Sequence, residues 1–92
     1  MIPYGRQNVT DEDIQEVVAV LKSDYLTQGP ILPEFETKFA QTVGVEYAFA
    51  VNSATSALHL ACVALGLSAG DILWTSPISF VASSNCAIYC GA

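Results

Sequence analysis

The sequence predicts an α/β fold: a mostly parallel sheet covered by helices, of which this chain carries the first part. Three observations lead there. After two amphipathic helices, the pattern alternates strand, helix, strand, helix, as in a parallel sheet whose crossovers lie on its faces. Hydrophobic residues make up 52% of the chain and charged residues 13%, against about 25% charged in ordinary soluble proteins. Eleven of the twelve charges fall in residues 1–46, leaving Asp71 alone in the rest. A domain of this size buries only about 60–65% of its unfolded surface and should show charge along its whole length. The second half therefore reads as the interior of something larger.

The elements follow in order. "VTDEDIQEVVAVLKSD" is an amphipathic helix. Thr10 is a suitable N-cap with Asp13 at the capping-box position, and Asp11, Glu12 and Asp13 suit the positive end of the helix dipole. Ile14, Val17, Val18 and Leu21 recur at helical spacing, with Lys22 in the last turn. "DYLTQGPIL" is irregular and punctuated by Gly29-Pro30. "PEFETKFAQTVG" forms a second helix, with Pro33 in its first turn, a Phe35, Phe39 and Val43 stripe, and Gly44 as its stop. Strands are expected near 47–51 and 72–75, in one parallel sheet. Nearly all-apolar helices are expected near 54–65 and 79–90, closed by Gly66 and Gly91. The chain divides into residues 1–30, a helix and connecting segment, and 31–92, the start of an α/β domain. Two strands cannot complete such a sheet.

Composition excludes several functions. The net charge of −6 and pI near 4.2 do not suit nucleic acid. The stretches Tyr47 to Ala69 and Ile72 to Ala92 have the length of a membrane span, about 20 residues. Each is interrupted by polar side chains, including Asn52, His59, Pro77 and Asn85, so no membrane crossing is expected. "MIPYGRQNVTDED" lacks the apolar core of a signal peptide. Cys62, Cys86 and Cys90 read as free, buried thiols of a reducing compartment, with no further ligand placed to complete a zinc site.

One stretch asks for more than packing. "VNSATSALHL" joins the first expected strand to the next helix through Ser53, Ala54, Thr55 and Ser56. In open α/β sheets, ligands bind beyond the carboxyl ends of the strands. The first amides of a helix are unpaired and carry roughly half a positive charge. Small side chains allow an anion to approach the backbone, and the hydroxyls add donors. A phosphate or carboxylate site is one reading; Ser53 as a simple N-cap among small neighbours is the other. Neither G-x-G-x-x-G nor a P-loop signature is present.

"YLTQGP", "FETKFAQTVGVEYAFAVNSATSALHLA" and "GDILWTSPISFVASSNCAIYCGA" together resemble the N-terminal part of the DegT-type sugar aminotransferases. These are pyridoxal-phosphate-dependent enzymes of fold-type I, and the likeness covers essentially all 92 residues. It is nearest to those that aminate C4 of the sugar in pseudaminic acid biosynthesis. The resemblance implies that Ala54 and Thr55, with Ser53 beside them, hold the cofactor's 5′-phosphate. It implies that Phe80 lies against the pyridine ring, where a flat apolar ring fixes the cofactor plane; without the resemblance Phe80 is a core residue. Tyr4 and the segment Asp24, Tyr25, Leu26 and Thr27 match positions lining the sugar-nucleotide site. Asn85, one turn beyond Phe80, is placed either to reach that cleft or for packing alone. His59 reads as a core residue.

The same resemblance implies a ping-pong exchange. An amino acid, expected to be L-glutamate, supplies the amino group, and a UDP-linked 4-keto-6-deoxy sugar receives it, in a cytoplasmic homodimer. Such chemistry needs a lysine to hold the cofactor and shuttle the proton, and a carboxylate for the pyridinium nitrogen. In the family both come later in the chain. Lys22 and Lys38 lie on the outer faces of the amphipathic helices, so this segment alone is expected to be inert, with no catalytic residue of its own. A non-catalytic α/β module holding an anion at Ser53–Ser56 is the competing reading.

Overall fold

A computed structural model describes Ile2 and residues 4–92. Four helices form: α1 (Asp11–Leu21), α2 (Ile31–Val43), α3 (Ala54–Ala64) and α4 (Ala82–Tyr89). They fall into two units, one ending at Phe49 with α1 and α2, the other Ala50–Ala92 with α3 and α4.

In the first unit the expected caps are present. The Thr10 amide donates to Asp13 Oδ2 at 2.8 Å, and the Asp13 amide donates back to Thr10 Oγ1 at 3.3 Å. This capping box satisfies amides that a helix start leaves unpaired. Hydrogen bonds hold the carboxyls of Glu12 and Asp13 below their ordinary range. For Glu12 these come from its own backbone and the Thr10 hydroxyl; for Asp13, from the Thr10 amide and hydroxyl. α2 begins two residues before Pro33, so the proline occupies the first turn, where no intrahelical amide bond is lost. It ends at Gly44 in the left-handed conformation (φ 73°), whose amide returns to Ala40 O. Lys38 and Glu34 pair at 2.7 Å across one turn; both are solvent-exposed, so the pair adds little to stability. Phe35 and Phe39 lie with ring centroids 6.0 Å apart.

The second unit is the α3–α4 helix pair. Cys62 of α3 and Ala82, Cys86 and Ala87 of α4 are its buried residues. His59 and Tyr89 meet edge to face at 5.4 Å, placing His59 in packing as expected. α4 is shorter than predicted. Pro77 to Val81 take a turn in which the Ile78 amide bonds Ser76 Oγ, and the helix starts from Val81 with no side-chain cap.

The expected strands are the main correction. Among the described residues, no sheet is present, and residues 47–51 and 72–75 lie outside any helix or ladder. A parallel strand is held by amides and carbonyls of neighbours on its edges and covered on both faces. No strand ladder forms among the described residues to supply them. Tyr47, Phe49, Ile72 and Trp74 are consequently exposed, Trp74 to 93%.

The apolar stripes of α1 and α2 are also uncovered, from Ile14 and Leu21 to Phe35 and Phe39. Burial, not helix formation, is what this chain lacks. No helix among the described residues is long and apolar enough to cross a membrane.

Candidate functional site

The loop before α3 resolves into two sets of donors. Ser53 is the N-cap in extended conformation, and its Oγ accepts the Ser56 amide at 3.1 Å. The Ser56 hydroxyl donates to Asn52 Oδ1 at 2.7 Å. The Ser53 hydroxyl is shared between Ser56 Oγ at 3.0 Å and Asn52 Oδ1 at 3.4 Å. The Ala57 amide returns to Ser53 O. The protons of both serine hydroxyls are thus taken up locally, with the Asn52 carbonyl as their sink. The sequence reading offered all three hydroxyls to an anion; the structure leaves only that of Thr55.

The amides of Ala54 and Thr55 and the Thr55 hydroxyl make no hydrogen bond among the described residues. They sit at the positive end of an 11-residue helix whose first turn carries no acid, an arrangement that suits an anion. No lysine or arginine lies in Ala50–Ala92, so within this unit the attraction comes from backbone dipoles and the Thr55 hydroxyl. Asn52 is the residue that sequence reasoning missed. Its signal was its place before a Ser cap, where a short amide side chain bonds nearby backbone and hydroxyl groups.

Phe80 lies 74% exposed on a cleft of about 490 Å³ lined also by Thr75, Ser76, Pro77, Ser79 and Ser83. Ser79 and Ser83 hydroxyls meet there at 3.0 Å. Ser53, Ala54 and Thr55 do not line this cleft, and neither does Asn85, which is half-buried and gives its amide to Val81 O.

In the first unit, Tyr25, Leu26 and Thr27 line a cavity of about 530 Å³ with Val20, Ile31 and Phe35. Asp24 and the fully exposed Tyr4 stand outside its lining. The loop is shaped by two backbone constraints. Gln28 adopts φ 54°, left-handed for a non-glycine residue. A Cβ on Gly29 would come within 2.7 Å of Tyr25 Cβ, so only glycine permits this approach.

Lys38 is not tuned as a nucleophile. Lys38 is 72% exposed, and its bond and charge interaction with Glu34 raise its pKa above the ordinary value. A lysine nucleophile needs the opposite shift. Lys22 caps the C-terminus of α1.

Residues 7–92 match the DegT/DnrJ/EryC1/StrS aminotransferase family, and the chain belongs to that family, which is generally pyridoxal-phosphate-dependent. Among its relatives, it is 44% identical over 91 residues to the spore coat polysaccharide biosynthesis protein SpsC of Bacillus subtilis, covering 99% of this chain and 23% of the relative. It is 44% identical over 92 residues to a UDP-4-amino-4,6-dideoxy-N-acetyl-beta-L-altrosamine transaminase of Campylobacter jejuni, covering 100% of this chain and 24% of that protein. An uncharacterized protein of Methanocaldococcus jannaschii is 38% identical over 88 residues, 96% of this chain and 23% of its own length. The chain thus spans about a quarter of the length of the curated relatives it matches.

Proposed function

We propose that this segment belongs to a pyridoxal-phosphate-dependent nucleotide-sugar aminotransferase, in which it supplies the phosphate cradle and part of the substrate site. One observation carries the reading: the Ala54 and Thr55 amides and the Thr55 hydroxyl stand unpaired at the start of α3. That donor set fits a phosphate group, with two backbone N–H groups and one hydroxyl for three anionic oxygens. The Asn52, Ser53 and Ser56 network keeps the helix start capped whether or not the anion is bound.

When bound, the cofactor supplies the electron sink for amino transfer. This chain's own residues bind and orient. Ala54 and Thr55 anchor the phosphate, with Ser53 acting as the cap that sets their direction. Phe80 offers a flat apolar face from the cleft before α4, with Asn85 on that helix. Tyr4, Asp24, Tyr25, Leu26 and Thr27 contribute to the sugar-nucleotide side. Residues 1–30 form the N-terminal substrate-site segment, and 31–92 begin the large cofactor-binding domain of a fold-type I enzyme.

The lysine that holds the cofactor and the carboxylate on its ring nitrogen come from elsewhere in the full-length protein, and this segment alone is inactive. The substrate is a UDP-linked 4-keto-6-deoxy sugar aminated at C4, the donor L-glutamate, and the enzyme a cytoplasmic homodimer. The name of the Campylobacter relative supports the sugar class.

The test is a half-reaction with the full-length protein. Loading with pyridoxal phosphate, then adding L-glutamate, should shift the cofactor absorbance, and a UDP-linked 4-keto sugar should reverse that shift. A protein that binds phosphate but shows no shift with any amino acid would support the non-catalytic module instead.

A further inference from the structure

We draw no further inference here: the strongest candidate, the cluster of Cys62, Cys86 and Cys90 thiols where α3 meets α4, carries nothing because burial and its sulfur neighbours hold the Cys62 thiol protonated, and no group of three ligating side chains among the described residues is placed to hold a metal ion.

Discussion

Replacing Thr55 with valine in the full-length protein isolates one donor. Valine keeps the shape of threonine, and the Thr55 hydroxyl has no partner among the described residues. The change therefore breaks no bond within this chain and leaves the Ala54 and Thr55 amides in place. What is lost is a hydroxyl donor to a charged phosphate, about 1.5–3 kcal/mol. At that size the dissociation constant for pyridoxal phosphate rises by about tenfold to a hundredfold. The assay is a cofactor titration followed by absorbance, with pyridoxal as a phosphate-free control whose affinity should not move. Ser56→Ala is the internal contrast. The Ser56 hydroxyl is already committed to Asn52 at 2.7 Å, so its removal should change cofactor affinity by less than about threefold, under 1 kcal/mol. Thr55→Val titrating like the unaltered protein, or losing pyridoxal and pyridoxal phosphate alike, would refute the assignment of these donors to the phosphate.

Asn52→Asp keeps the acceptor for both serine hydroxyls but adds a negative charge at the α3 N-terminus. Melting temperature should hold or rise, since such a charge is worth about 0.3–1 kcal/mol to a helix, while pyridoxal phosphate affinity falls at least fivefold; unchanged affinity counts against an anion here. Gly29→Ala forces Tyr25 away from a 2.7 Å contact and should weaken sugar-nucleotide binding in calorimetry without altering cofactor affinity. The carboxyls of Glu12 and Asp13 are held low in the folded state by bonds around Thr10. Their contribution is therefore full above the ordinary carboxylate range and lost as pH falls through the lowered values. A peptide spanning residues 8–24 should lose helical circular dichroism on acidification below about pH 4, and Thr10→Ala should flatten that dependence. The isolated 92-residue segment should self-associate in sedimentation velocity, because its apolar stripes are uncovered; a compact monomer would contradict that expectation.

Local chemistry made much of this chain legible without coordinates. The Thr10–Asp13 box, the Gly44 stop and the Ser53 cap depend on residues within four positions of one another, and all three form as the sequence implies. The apolar run of α3 likewise marked its extent to within one residue. The free amides at the start of α3 were foreseeable, because unpaired amides at a helix start are a property of any helix. Which donors are free was not recognisable. That depends on side-chain rotamers, and only the structure shows Asn52 accepting the Ser53 and Ser56 hydroxyls while Thr55 stays unpaired. The left-handed Gln28 and the close approach at Gly29 were hidden for the same reason, since both arise from how the loop folds back on Tyr25. The segments 47–51 and 72–75 mark the opposite limit. Their apolar, β-branched and aromatic character expresses a preference for a sheet, but a strand is completed by neighbours distant in sequence. With no strand beside them among the described residues and no cover for Phe49 and Trp74, the preference stays unrealised, because tertiary pairing and not local propensity decides whether a strand exists.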